Sequence, residues 1–286
     1  MLAKLKALVK EKIDGWIDPE ITERLEKLNT RLNEYGVDPF GFDPDYLKYA
    51  MPLVLPLYRS YFRVQSFGIK NVPPGRVLLI SNHSGQIPMD AAMIFMSMFF
   101  ETDPPRNIRS MVERWVPTLP LISYVFQRAG QIVGTRENCL RLLDREEAIL
   151  VFPEGTRGVT KTYAHRYQLQ EFGLGFMRLA LMTNTPIVPV AVVGAEEQAP
   201  ALFHLMPIAK LIGAPSFPVT PTFPLLGPLG ALPLPSKYRI YYGKPMLFSG
   251  DPNDEDSVLG AKVNRVRSTI QRMLRDGIKA RKNVFW

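Results

Sequence analysis

Two short strings hold the residues best suited to chemistry. Asn82-His83-Ser84-Gly85-Gln86-Ile87-Pro88-Met89-Asp90 sets a histidine seven positions before a carboxylate. A neutral imidazole can take a proton from a hydroxyl near neutral pH, and does so best when a carboxylate fixes its tautomer and stabilises its charged form. Pro88 suits the first turn of a helix, which would put Asp90 close to a helix N-terminus. The second string is Phe152-Pro153-Glu154-Gly155-Thr156-Arg157. Gly155 allows close backbone approach, and Arg157 can grip a phosphate through paired hydrogen bonds. Glu154 has three available roles: binding a substrate hydroxyl, orienting the arginine, or holding the loop. Taken singly, His83 reads as a turn residue and Arg157 as a surface ion-pair partner. Together, at neighbouring strand ends, they suggest chemistry on a phosphorylated or acylated substrate.

Both strings follow apolar runs of strand character, 77–80 and 148–151. Turns after such strands lie at the carboxyl edge of an α/β sheet, where ligands bind. From residue 63 onward, short apolar runs alternate with helical periodicity. Strands are predicted over 64–69, 77–81, 109–112, 131–133, 148–152, 187–193 and 238–242. Helices are predicted over 88–100, 119–129, 137–147 and 169–183, with a last one carrying Leu259, Val263, Val266 and Ile270 on one face. The expected fold class is α/β: a central mixed, mostly parallel sheet flanked by helices. An N-terminal helical, membrane-associating segment (1–62) is expected to precede this α/β domain (63–286).

That N-terminal segment opens with Leu2, Leu5, Val9, Ile13, Trp16 and Ile17 at helical spacing among lysines, a pattern that fits either an interfacial helix or a helix packed on its own domain. Asp18-Pro19 reads as an N-cap and first turn, opening a second helix that Gly36 would end. Residues 46–62 are apolar and aromatic but interrupted by Pro52 and Pro56.

The chain has 286 residues, 46% of them hydrophobic, and a net charge of +8. It can bury a sizeable core, and its charge favours anionic partners. Nucleic acid is disfavoured, because no zinc-ligand spacing, Arg/Lys block or interleaved stacking aromatics occur. One cysteine, Cys139, excludes an internal disulfide and reads as an inert thiol. The uncharged run 211–236 carries seven prolines, which forbid a membrane-spanning helix there. His165 and His204 lack metal-ligand spacing, so no metal is expected. The absence of a Gly-x-Ser-x-Gly elbow argues against a serine lipase.

Further strings follow in order: Gly130-Gln131-Ile132-Val133-Gly134-Thr135-Arg136 between the two above, and Ile187-Val188-Pro189-Val190 after them. With Asn82-His83, Asp90 and Phe152-Pro153-Glu154-Gly155-Thr156-Arg157, the order resembles the glycerolipid acyltransferase family that includes 1-acylglycerol-3-phosphate acyltransferases. The resemblance covers about residues 67–243. It implies that His83 is the general base and Asp90 its orienting carboxylate. It implies acceptor binding by Glu154, Gly155, Thr156 and Arg157, with Arg157 on phosphate, further help from Arg136, and a pocket shaped by Pro189. It implies an acyl thioester donor, on coenzyme A or acyl carrier protein, as cosubstrate and no permanently bound cofactor.

The implied function is O-acyl transfer to a lysophospholipid in phospholipid synthesis, foremost 1-acylglycerol-3-phosphate giving phosphatidic acid. The implied place is the cytoplasmic face of a membrane, by peripheral or monotopic attachment to an anionic lipid surface. One departure stands out. Six residues separate His83 from Asp90, where the family usually has four. The longer link resembles the branch nearer mono- and diacylglycerol acyltransferases, which keeps open a neutral glyceride, another lysolipid or a lipid alcohol as acceptor. A reading of another class is a non-catalytic lipid-binding adaptor; the intact His, Asp, Glu and Arg set weighs against it.

Overall fold

The computed structural model describes residues 15–113, 116, 122–211, 213 and 216–286. The helix expected over 2–17 falls almost wholly outside them, as does the start of the one expected over 119–129.

Seven strands form the central sheet: β1 (Gln65–Phe67), β2 (Val77–Ser81), β3 (Ile108–Val112), β4 (Ile132–Val133), β5 (Ala148–Val151), β6 (Ile187–Val193) and, late in the chain, β9 (Arg239–Tyr242). Their order is β1-β9-β6-β2-β5-β3-β4. The β6, β2, β5, β3 and β4 neighbours are all parallel. β9 runs antiparallel to β6, and β1 parallel to β9. The sheet is therefore mixed and mostly parallel, with helices on both faces.

Strands β2 and β6 are buried along their whole length, as a sheet covered on both sides demands. Side chains alternate between faces. Leu79, Val188 and Val190 join one core, with Ile21, Leu25, Met51, Phe62, Met93, Ile94 and Phe99. Leu78, Ile80, Ala191 and Val193 join the other, with Leu142, Phe176, Val263, Val266 and Ile270.

The first face is covered by α1 (Pro19–Glu26), α2 (Pro44–Pro56) and α3 (Met89–Glu101). Asp18 caps α1, its carboxylate accepting from the N–H groups of Glu20 at 2.8 Å and Ile21 at 3.4 Å. Asp43 caps α2 through Tyr46 N–H at 3.0 Å. Helix α1 stops at Glu26, well before Gly36. Asn33 accepts from the N–H groups of Tyr35 and Val37, a local bond that competes with helix. Arg24 of α1 donates to the carbonyls of Phe99 at 2.8 Å and Thr102 at 2.7 Å, at the end of α3. Ile21, Leu25, Leu47, Met51, Leu55 and Phe62 are thus turned onto the same core as the sheet, while Tyr35 and Leu53 stay exposed. Among the described residues, no helix is long and apolar enough to cross a membrane.

The opposite face carries α5 (Arg136–Leu143), α7 (Gly175–Thr183) and α9 (Asp256–Ala280). The short α4 (Ile122–Arg128) leads into β4, and the one-turn α6 (Thr156–Val159) follows β5. The helix expected over 169–183 begins only at Gly175. Residues 169–170 are not helical, and side chains satisfy their backbone: Gln271 accepts from Leu169 N–H, and Arg267 donates to both carbonyls. Between β6 and β9 lies the proline-rich insertion, with a two-strand ladder of β7 (Phe203–His204) and β8 (Pro218–Val219) and a short α8 (Met206–Leu211).

Candidate active site

His83 follows β2 at the carboxyl edge of the sheet. Its position is fixed by its neighbour Asn82, which extends the ladder with a side chain. Asn82 Nδ2 donates to Val192 O at 3.1 Å, and Asn82 Oδ1 accepts from Val192 N–H at 2.8 Å. The imidazole is 14% exposed and stacks on Phe152, ring centroids 4.1 Å apart at 21°. Its Nδ1 lies 2.9 Å from Asp90 Oδ2. Asp90 is fully buried in the first turn of α3, where its carboxylate also accepts from the N–H groups of Ser84 at 3.0 Å and Ala91 at 2.8 Å. That grip holds Nδ1 in place and leaves Nε2 as the nitrogen available to a substrate hydroxyl.

The six-residue link between the pair has its own supports. Gln86 adopts a left-handed backbone with φ of 62°, a conformation that costs a non-glycine residue energy unless its surroundings hold it. Gln86 Nε2 donates to Lys161 O at 2.9 Å. Gln198, from the turn after β6, donates Nε2 to the carbonyls of Gly85 at 3.0 Å and Ile87 at 2.8 Å. Tyr238 in turn donates its hydroxyl to Gln198 Oε1 at 2.6 Å.

The second string packs against the first. Gly155 adopts φ 57° and ψ −147°, a region open essentially to glycine alone, and so turns the chain from β5 into α6. A Cβ on Gly158 would come within 2.9 Å of His83 O and 3.0 Å of His83 Cβ, so glycine is required for α6 to lie against the histidine. Thr156 opens this turn, half-buried. Arg157 points outward, mostly exposed, and its restraint is light: Glu171 O at 3.1 Å and the exposed Glu171 carboxylate at 3.5 Å. A guanidinium so placed is free to exchange that partner for an anion.

Glu154 takes the loop-holding role among the three its sequence position allowed. It is buried and engaged on both oxygens. Oε1 accepts from His83 N–H at 3.0 Å, and Oε2 from Gln170 N–H at 2.8 Å. Its oxygens are therefore spent on the two segments that flank the site rather than presented to a ligand. Lys161 completes the arrangement, its Nζ 3.4 Å from Glu154 Oε2 and 2.9 Å from Glu196 Oε1. Burial pushes the Glu196 carboxyl above its ordinary range, and Lys161 opposes that rise.

Arg136 stands apart. It follows β4, three strand positions from β2, which at about 4.8 Å per strand is roughly 14 Å along the edge. Its guanidinium donates to Met182 Sδ at 3.3 Å, not to a member of the His83 group. Pro189 lies within β6, its carbonyl accepting from Gly243 N–H at 2.8 Å. Cys139 is buried against Met111, and burial pushes its thiol up to about 11, outside the range of a reactive thiolate. A cavity of about 670 Å³ opens beside α9, lined in part by Lys244, Arg265 and Arg272, and none of the motif residues reaches it.

Lys161, Glu196 and Gln198 escaped the sequence reading. A signal was present: charged and amide residues directly after the strongly apolar 187–193 run, which a buried loop tolerates only when they are paired.

Comparison with known proteins places this geometry in a family. The Acyltransferase family model matches residues 63–193, which span both strings and β6. An uncharacterized protein of Mycobacterium tuberculosis is 38% identical over 266 residues, 91% of this chain and 74% of that one. A probable 1-acyl-sn-glycerol-3-phosphate acyltransferase of Mycoplasma pneumoniae is 28% identical over 148 residues, 49% of this chain and 52% of its own length. A mouse protein described as a DGAT1/2-independent enzyme synthesizing storage lipids is 23% identical over 206 residues, 72% of this chain and 59% of that one. Set beside the His83–Asp90 pair and the Arg157 turn, these matches lead to one conclusion: the chain belongs to the glycerolipid acyltransferase family and is an acyltransferase.

Proposed function

We propose that the protein moves a fatty acyl group from an acyl thioester, on coenzyme A or acyl carrier protein, to the hydroxyl of a lysophospholipid, foremost 1-acylglycerol-3-phosphate. The observation that carries this reading is the juxtaposition at one sheet edge of a carboxylate-held imidazole and an exposed arginine on the turn packed against it. His83 Nε2 takes the acceptor's hydroxyl proton as that oxygen attacks the thioester carbonyl. Asp90 stabilises the imidazolium. The tetrahedral intermediate expels the thiolate, the carbon–sulfur bond breaks, and His83 returns the proton to sulfur. Thiolate is a good leaving group, so no further acid is required. Arg157 gives up Glu171 and pairs with the acceptor's phosphate, which fixes the hydroxyl's reach to His83.

Such an acceptor resides in a bilayer, and the reading puts the protein at the cytoplasmic face of a membrane as a peripheral or monotopic enzyme. Support comes from the net charge of +8, which suits an anionic surface, and from large apolar side chains left exposed.

A second reading keeps the chemistry and replaces the acceptor with a neutral glyceride. The six-residue His83-to-Asp90 link and the likeness to the mouse storage-lipid enzyme favour it. An acceptor panel with labelled acyl-CoA and acyl carrier protein, read by thin-layer chromatography, separates the two. Labelled phosphatidic acid as the main product supports the first reading. Label confined to di- or triacylglycerol replaces it with the second, and no transfer to any lipid overturns both.

A further inference from the structure

The insertion between β6 and β9 carries a dense group of exposed apolar side chains among the described residues. Residues 199–236 contain no Asp or Glu and a single Lys, Lys210. Nine of the large apolar side chains exposed among the described residues fall between 202 and 232. Among them, Leu211 is 86% exposed, Leu225 84% and Leu229 72%; Phe203, Met206 and Leu232 are also more than half or nearly half open. Isolated apolar residues on a surface need no explanation, but a concentration of this kind marks an interaction site.

The described residues of the segment are nonetheless tied to one another. Leu202 and Leu205 pair through their N–H groups with Val219 and Phe217. Thr222 donates its hydroxyl to Gly230 O at 2.9 Å, and the rings of Phe217 and Phe223 lie 5.2 Å apart. Ala201, Ala209 and Thr220 are buried beneath it. The same segment is fastened to the active-site loops. Leu234 N–H donates to Gln198 O at 2.6 Å, and Gln198 holds the His83-to-Asp90 link. Tyr163 N–H donates to Ala201 O at 2.7 Å, two residues beyond Lys161.

We infer that these nine exposed apolar side chains form the surface by which the enzyme enters the headgroup region of a lipid bilayer, bringing His83 to the membrane. The inference deepens the proposed transfer to a lipid acceptor and rests on it for choosing a bilayer over a protein partner. The chemistry of the patch agrees. It lacks the carboxylates that anionic headgroups would repel, its one charge is a lysine, and leucine, phenylalanine and methionine partition into the acyl boundary. The antiparallel β7–β8 ladder folds the backbone back on itself, so the segment lies on the interface and does not span it.

The test uses the full chain and a variant carrying Leu225→Gln, Leu226→Gln, Leu229→Gln and Leu232→Gln. These are exposed positions outside the catalytic group, and retained thermal unfolding checks the fold. Co-sedimentation is measured with vesicles of phosphatidylcholine and phosphatidylglycerol. Acyl transfer is measured on an acceptor embedded in those vesicles and on a short-chain, water-soluble analogue. Vesicle binding is expected to fall about tenfold or more, as loss of several apolar side chains that the bilayer would bury requires. Transfer to the embedded acceptor should fall in step, and transfer to the soluble analogue should stay unchanged. Undiminished vesicle binding overturns the inference, as does a loss of self-association in light scattering with vesicle binding intact, which would make the patch an interface between copies. Vesicle binding is read without turnover. A wild-type protein that binds vesicles through this segment but acylates no lipid therefore defeats the proposed reaction and leaves the surface assignment standing.

Discussion

Two buried triads of one cation between two carboxylates sit at opposite edges of the same sheet. At the carboxyl edge, Lys161 lies between Glu154 and Glu196. At the amino edge, Arg109 lies between Asp38 and Glu147 and stacks on Phe42, 4.8 Å from its ring centroid. The two are alike in composition and burial and differ in what else their oxygens hold. Asp38 accepts from the N–H groups of Phe40 and Phe42, each at 2.8 Å, and so pins residues 38–42 to β3. Glu154 accepts from His83 and Gln170, and Glu196 from Tyr167 N–H at 3.1 Å. One triad fastens an N-terminal strap to the core; the other positions the loops that bear the proposed base and phosphate grip. A buried charge group is thus not a functional sign in itself, and its role follows from the backbone it restrains.

The sharpest contrast comes from the carboxylate next to the first triad. Asp90→Asn should lower kcat by about 10³-fold, because the amide cannot stabilise imidazolium and favours the wrong tautomer. Steady-state kinetics check this, and a kcat within about tenfold of wild type would remove Asp90 from its role. Arg109→Met should cost about 3–5 kcal/mol of stability by leaving two buried acids unpaired, while the folded enzyme keeps its specific activity. Denaturant titration alongside activity per folded molecule reads both; a matching loss of kcat would erase the distinction between the edges. Lys161→Met should cost a similar amount of stability and in addition lower kcat about tenfold, since Glu154 would no longer hold His83 in register. A purely structural effect there would make the two triads equivalent. Arg157→Ala should leave unfolding unchanged and raise KM for a phosphorylated acceptor about tenfold, the loss of one charged hydrogen-bonding partner. An unchanged KM with that acceptor would take the phosphate from Arg157.

Much of this was legible in the sequence where burial writes directly into composition. The 77–81, 148–151 and 187–193 runs are apolar on every residue or nearly so because the sheet is covered on both faces, and they read as strands for that reason. Asp18 and Pro19 marked a helix start because capping is local. The helix expected from 169 begins at Gly175, and distant side chains, those of Gln271 and Arg267, satisfy the preceding backbone. No local pattern encodes that. Likewise His83 and Asp90, seven positions apart, pair once the order of the motifs is read with them, whereas Lys161 and Glu196 meet across 35 positions and Gln198 reaches Gly85 across 113. Glu154 was legible as a loop residue but not as His83's own support. The distance of Arg136 from the group depends on strand order, which spacing does not reveal.

The central claim is that His83 is the base that moves an acyl group onto a lysophospholipid. The direct measurement is the transfer of labelled acyl chain from acyl-CoA to 1-acylglycerol-3-phosphate by wild type and by His83→Ala, with thermal unfolding of both. The account predicts labelled phosphatidic acid from the wild type, a loss of about 10³-fold or more in the variant, and nearly equal unfolding temperatures. A variant that is equally stable and still turns over at the wild-type rate would contradict it.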